Sequence, residues 1–265
     1  MSPVRLLMIG DVFAKTGRSA VHRVLKKLIR ERRIDFVVAN GENIAGGVGI
    51  TPELADDLFD QGVNVITSGN HIWRQKEIRP YIQNHPALLR PCNYISTQPG
   101  RGFGVFETDS ELRVGVINVS GQVFMDVNPD NPFAAVDNAL RQMAGVRLIM
   151  VDFHAEATSE KRALASHLDG RVTLLAGTHT HVQTADEQIT AKGTAFISDV
   201  GMTGPHESII GMSRETVMKK FVTGLPEPFK PATAGARFQG CLVEADAATG
   251  QAQAIERIDI PLADD

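Results

Sequence analysis

Five short polar segments, each following an apolar run, carry side chains able to hold metal ions. They are Gly10-Asp11, Asn40-Gly41-Glu42-Asn43, Gly69-Asn70-His71, His154-Ala155-Glu156 and Gly177-Thr178-His179-Thr180-His181. The ligand candidates are Asp11, Glu42, Asn43, Asn70, His154, His179 and His181, with His71 directly beside one of them. Oxygen and imidazole donors without thiolate form a hard-to-borderline set. Such a set suits Mn, Fe or Zn better than Cu(I) or an iron–sulfur cluster. Seven donors exceed what one tetrahedral ion takes. They suit two ions bridged by a carboxylate and a hydroxide. Two metals roughly 3.5–4 Å apart clamp an in-line phosphoryl displacement, activate water near neutral pH and offset the phosphate charge.

The apolar runs supply the scaffold. Strands are expected over 4–10, 35–39 and 63–68, alternating with helices over 17–33, about 52–61 and 74–84. Val21, Val24, Leu25, Leu28 and Ile29 give the first helix its spacing, and Thr51-Pro52 opens the second as cap and first turn. Paired strands follow over 102–108 and 112–119, joined by a polar turn at Asp109-Ser110-Glu111. Beyond them come a helix over 132–144, a strand over 146–153, a helix over 159–168, and strands over 171–176 and 194–198. The Gly- and Pro-rich stretch 201–231, with a helix near 213–222, reads as a lid or insertion. A hairpin over 236–245 and 251–260 closes the chain. With no repeat or linker, 1–265 is expected to be one domain. Early strand–helix–strand units favour parallel pairing and the later hairpins antiparallel pairing, so a mixed α/β fold with two sheets is expected. In such sheets the functional crevice lies beyond the carboxyl ends of the strands. A glycine before the polar residue suits a sharp turn, and residues two apart in extended chain share a face, which aligns His179 with His181.

Composition narrows the setting. The formal net charge is −4 over 265 residues, so no global basic field draws nucleic acid or an anionic membrane. Cys92 and Cys241 are the only cysteines, far apart and outside any zinc-knuckle spacing. The N-terminus lacks a basic region ahead of a long apolar one, and no apolar run reaches membrane length. A cytoplasmic protein is expected, with a small phosphodiester as its partner, no membrane and no DNA; homo-oligomerisation stays open.

The ordered stretches GDVF, NGEN, GNH, DFHAE and GTHTH resemble the D-x-H, G-D, G-N-H, H and G-H-x-H blocks of the calcineurin-like metallophosphoesterases. More closely, MIGDVFAKTGR, VVANGENIAGGVGIT, ITSGNHIW and ISDVGMTGP resemble the bacterial YmdB branch, a set of cyclic-nucleotide phosphodiesterases. The likeness runs from residue 6 to about 241. It implies a four-layer αββα sandwich with two mixed β-sheets, and two divalent or trivalent metal ions per chain, Fe or Mn before Zn. By the same resemblance Glu42 bridges the ions. Asp11, Asn43 and His181 complete one site, and Asn70, His154 and His179 the other. His71 then stands near the leaving oxygen as general acid or charge stabiliser. Two positions depart from the superfamily: Phe13 replaces the histidine of D-x-H, and Glu42 with Asn43 replaces the bridging aspartate. Both match the YmdB branch.

The implied activity is hydrolysis of a cyclic nucleotide, 2′,3′- or 3′,5′-cyclic, by metal-bound hydroxide. Two alternatives remain: a phosphomonoesterase or protein phosphatase on the same metal core, and a metal-stabilised regulatory protein with little turnover. Asn40 reads as a turn residue, and His22, His85 and His167 as surface or satisfied histidines. Asp199 is either a support of the site or a turn residue, and His206 either a substrate contact or ordinary loop. The glycine-rich 41–49 lacks the Lys-Ser/Thr of a phosphate loop and reads as a flexible loop lining the site. The basic face of the first helix reads as solvated, and both cysteines as buried or idle.

Overall fold

The computed structural model describes residues 3–108 and 111–263. The elements run β1 (Val4–Ile9), β2 (Asp11–Val12), α1 (Ala14–Arg32), β3 (Phe36–Asn40), α2 (Pro52–Asp60), β4 (Val65–Thr67) and α3 (Ile78–Asn84). There follow β5 (Phe103–Glu107), β6 (Arg113–Ser120), α4 (Pro132–Gln142), β7 (Leu148–His154), α5 (Thr158–Leu168), β8 (Leu174–Thr178), β9 (Gln188–Ile189) and β10 (Ala195–Ile197). The chain ends with β11 (Met202–Pro205), α6 (Arg214–Thr223), β12 (Ala236–Ala245) and β13 (Ala252–Pro261).

Among the described residues these strands form two sheets. The seven-stranded sheet has the order β2-β11-β12-β1-β3-β4, with β13 on the far edge of β12. The six-stranded sheet has the order β5-β6-β7-β8-β10-β9. Both are mixed: β1, β3 and β4 run parallel while β12 opposes β1, and β6, β7, β8 and β10 run parallel between antiparallel β5 and β9.

The period of two along each strand separates the layers. On β1, Leu6 and Met8 face the second sheet, where they meet Val114, Met150, Leu174 and Ile197. Leu7 and Ile9 face the other way, onto Val21, Leu25 and Leu28 of α1 and Leu58 of α2. Outside the second sheet, Ile149, Val151 and Phe153 of β7 pack on Val136 of α4 and Leu164 and Leu168 of α5. Helix, sheet, sheet, helix is thus the four-layer αββα sandwich.

Two expectations change. Within 201–231, Met202–Pro205 is a buried strand of the first sheet, pairing with both β2 and β12. Only the remainder of that stretch is loop and helix. Alternation of small and large side chains over four residues gave no strand signal there; pairing, not propensity, sets it. The third helix starts at Ile78 rather than 74, because the turns after His71 extend through Glu77. The expected turn at Asp109-Ser110-Glu111 falls largely outside the described residues, although β5 and β6 on either side do pair antiparallel.

Candidate metal centre

The carboxyl ends of β1, β3, β4, β7 and β8 converge at one rim of the sandwich, and there Asp11, Glu42, Asn43, Asn70, His71, His154, His179 and His181 lie together. Glu42 is buried at the middle. Its Oε1 is 3.0 Å from Asn43 Nδ2, 3.2 Å from His154 Nε2 and 3.4 Å from His71 Nδ1. Its Oε2 accepts the His71 backbone N–H at 3.1 Å. Gly69 makes this approach physically feasible: a β-carbon there would run into Glu42 Oε2 and His154 Nε2.

Each histidine is oriented from outside. Thr178 Oγ1 donates its single proton to Asp152 Oδ1 at 2.7 Å, so it accepts from His154 Nδ1, 2.8 Å away. Asp152 is itself buried and accepts from Asn40 Nδ2 at 2.9 Å and from the Thr67 hydroxyl. His154 Nε2 therefore points inward, 3.1 Å from Asn70 Oδ1 and 3.1 Å from His179 Nδ1. His179 Nε2 lies 3.3 Å from the Glu156 carboxylate, which keeps a proton on that nitrogen and leaves Nδ1 facing inward. His181 Nδ1 donates to the Ile210 carbonyl at 2.9 Å, leaving Nε2 toward Asn43 at 3.2 Å and Asp11 at 3.7 Å. An outer partner fixing the ring and its tautomer is the usual arrangement around metal-binding histidines.

The loop carrying the last two histidines is strained. His179 has φ 101° and His181 has φ 64°, both left-handed. Thr180 between them is tied to Asp199 Oδ2, by its N–H at 3.1 Å and its hydroxyl at 2.8 Å. Asp199 Oδ2 also accepts from Lys161 Nζ at 3.0 Å, and Oδ1 accepts from the Gly201 N–H at 2.9 Å. Lys161 and Asp199 are both buried.

The donors fit a cation. Asn43 Nδ2 faces Asp11 Oδ1 at 3.2 Å, Glu42 Oε1 and His181 Nε2, three acceptors for two N–H bonds. Glu42, His154 and His179 each offer an atom such that all three lie within 4.8 Å of one another. The electrostatics agree. Burial pushes the His154 imidazole down, but Glu42 and Asp11 outweigh it and bring it up to about 9. Burial raises Asp11 to about 6 against the pull of His181 and His154. Burial, with His154 beside it, drives His179 down to about 3. The carboxylates call for positive charge that the rings supply unevenly, and metal ions would supply it.

The other candidates fall elsewhere. Asn40 serves Asp152 and its own turn rather than the centre. Asp199 touches the histidine loop through Thr180. His206 Nε2 donates to the Met202 carbonyl at 2.9 Å, outside this group. His22 lies 2.8 Å from Asp57, His167 3.0 Å from Asp137, and His85 stacks on Tyr81. Cys241 is buried and Cys92 half-buried, and burial pushes both thiols up to about 12. Gly47 of the 41–49 loop lines the cavity over the centre, with Phe13, Ile210, Met212 and Phe229 as its apolar wall.

Sequence reasoning passed over Asp152, Thr178, Lys161 and the orienting role of Glu156. Two of them left a signal. Asp152 is a charge within an apolar strand, two residues before His154 and so on its face. Lys161 sits on the buried stripe of α5 with Leu164, Ala165 and Leu168, where an uncompensated cation does not belong.

A two-sheet αββα sandwich that gathers carboxylates, amides and imidazoles at its strand ends is a calcineurin-like metallophosphoesterase. The chain belongs to the YmdB-like family, whose model matches residues 7–258. It is 43% identical over 256 residues to a 2′,3′-cyclic-nucleotide 2′-phosphodiesterase of Bacillus subtilis (strain 168), covering 96% of each chain. A crystal structure of a hypothetical protein from Thermus thermophilus superposes with a TM-score of 0.91 at 40% identity, covering 97% of this chain and 99% of that one. A crystal structure of a novel phosphatase from Mycoplasma pneumoniae superposes with a TM-score of 0.92 at 36% identity, covering 98% and 95%. No helix among the described residues is long and apolar enough to cross a membrane.

Proposed function

We propose that this chain is a phosphodiesterase that hydrolyses 2′,3′-cyclic nucleotides on a pair of metal ions. One observation carries the reading: His154 and His179, each turned by a separate outer partner, gather their inner nitrogens with the buried Glu42 carboxylate, and His181, turned by the Ile210 carbonyl, directs its own at Asn43 and Asp11 beside it. In this reading Glu42 would be a ligand to both ions. Asp11, Asn43 and His181 would hold one, and Asn70, His154 and His179 the other. Iron or manganese suits the donors, and zinc fits them as well. When bound, the metals supply an activated water and offset the charge of the phosphate.

The protein's own groups do the rest. Gly69 and the turn after it place the His71 N–H against Glu42 Oε2, which sets the His71 ring on the cavity wall. His71 Nδ1 donates to Asn43 Oδ1 at 2.8 Å, leaving the ε edge to the cavity. In the doubly protonated ring the Nε2 proton is then placed for the ester oxygen that departs, and the ring is left neutral with its Nδ1–H still on Asn43. Water adds to phosphorus, one P–O bond breaks, and the ribose oxygen takes that proton. Asp199, through Thr180, holds His179 and His181 in their left-handed conformations; His206 has no part in this scheme.

The activity of the Bacillus subtilis relative and the family membership support the cyclic diester as substrate class. Turnover of 2′,3′-cyclic AMP, 3′,5′-cyclic AMP, bis-p-nitrophenyl phosphate and p-nitrophenyl phosphate should be compared on one metal-loaded preparation. The 2′,3′-cyclic substrate is expected to give the highest kcat/KM. A preference for the monoester would replace this reading with a phosphomonoesterase on the same core.

A further inference from the structure

Beside the metal centre lies a second cavity of about 230 Å³, opening next to Asn70. Its walls include Trp73, Tyr94, Ile95, Val127 and Gln98. Asn70 belongs to both places: its Oδ1 is 3.1 Å from His154 Nε2, and it lines this cavity. A phosphate on the centre therefore has this cavity within reach of whatever it is esterified to.

The chemistry of the lining selects the occupant. No lysine or arginine lines it, and its one carboxylate is that of Asp130. An anion is disfavoured there, so the phosphate does not belong in it. Instead the walls offer aromatic and aliphatic faces with amides between them. Trp73 Nε1 donates to Gln98 Oε1 at 3.0 Å, which fixes the indole plane and turns the amide. The Gln98 Nε2 donors have no partner among the described residues. A flat neutral ring with polar edges matches such a place: π faces attract it, and amides read its edge.

We infer that this cavity is the nucleoside subsite, in which the base of the cyclic nucleotide stacks on Trp73 and meets the Gln98 amide while the phosphate sits beyond Asn70. The inference rests on the phosphodiesterase reading for the identity of the ligand. The subsite itself can be tested without turnover.

Trp73 is the only tryptophan in the chain, so the protein carries its own reporter. Fluorescence of the holoenzyme should be titrated with adenosine 3′-monophosphate, ribose 5-phosphate and inorganic phosphate. The nucleotide is expected to quench the emission saturably by about half or more, with the other two changing it by less than about a tenth. Trp73→Ala should then raise KM for 2′,3′-cyclic AMP roughly tenfold, the loss of one base–aromatic stack. Trp73→Phe should recover most of that loss. Nucleotide that competes with bis-p-nitrophenyl phosphate yet leaves Trp73 emission unchanged would overturn the subsite. Equal quenching by inorganic phosphate would overturn it too. Absence of diester turnover would remove the catalytic reading instead, and quenching by the nucleotide alone would still support the subsite.

Discussion

The Lys161 ammonium donates to the Asp199 carboxylate at 3.0 Å, with both groups buried in the floor beneath the His179-Thr180-His181 loop. Taking one partner away leaves a buried charge without compensation, which costs about 3–5 kcal/mol. Asp199→Ala should lower the stability measured by urea unfolding by about that amount. Because Asp199 also holds Thr180, it should lower metal content as well. Asp199→Asn keeps an acceptor for Thr180 and should retain more metal than Asp199→Ala. Equal metal content in the two variants and wild type would separate Asp199 from the centre.

Thr178→Val keeps the shape of the side chain and removes the hydroxyl between Asp152 and His154. The His154 tautomer is then no longer fixed. Metal affinity should fall about 10–100-fold, as for other outer partners of metal-binding histidines. Titration with a competing chelator measures it, and Thr178→Ser should restore most of the loss. An unchanged affinity in Thr178→Val would show that His154 needs no such partner.

His71→Ala should lower kcat on an unactivated diester by about 10²–10⁴-fold with metal content unchanged, as expected for loss of a general acid. On bis-p-nitrophenyl phosphate, whose leaving group needs no proton, the loss should be smaller. A variant as fast as wild type on 2′,3′-cyclic AMP would take His71 out of the mechanism.

Much of this arrangement is legible in the sequence, for a physical reason. Buried parallel strands are continuous apolar runs, so the places where they end stand out, and each end here brings Asp11, Glu42, Asn70, His154 or His179 to the same rim. The outer partners are harder to read. Thr178 looks like any β-branched strand residue, and nothing in GTHTH tells that its hydroxyl bridges Asp152 to His154. The short pairing of Asp11–Val12 with Met202–Thr203 is set by contacts almost two hundred residues apart, and local propensity carries no trace of it. The cavity at Trp73 and Tyr94 escapes for the same reason, since its walls come from three separate loops.

Glu42→Gln removes the negative charge at the middle of the centre while keeping the side-chain shape. Metal bound per chain should fall by at least half, and turnover with it. Wild-type occupancy in this variant would argue against Glu42 lying between two ions.

The most direct test is metal content by inductively coupled plasma mass spectrometry on protein purified without added metal. Turnover of bis-p-nitrophenyl phosphate should be followed on the same sample before and after chelation. The expected result is about two ions of iron, manganese or zinc per chain, with activity lost on chelation and regained when metal is returned. A metal-free protein that stays inert after manganese or iron is supplied would contradict the binuclear phosphodiesterase and favour a protein that binds without turnover.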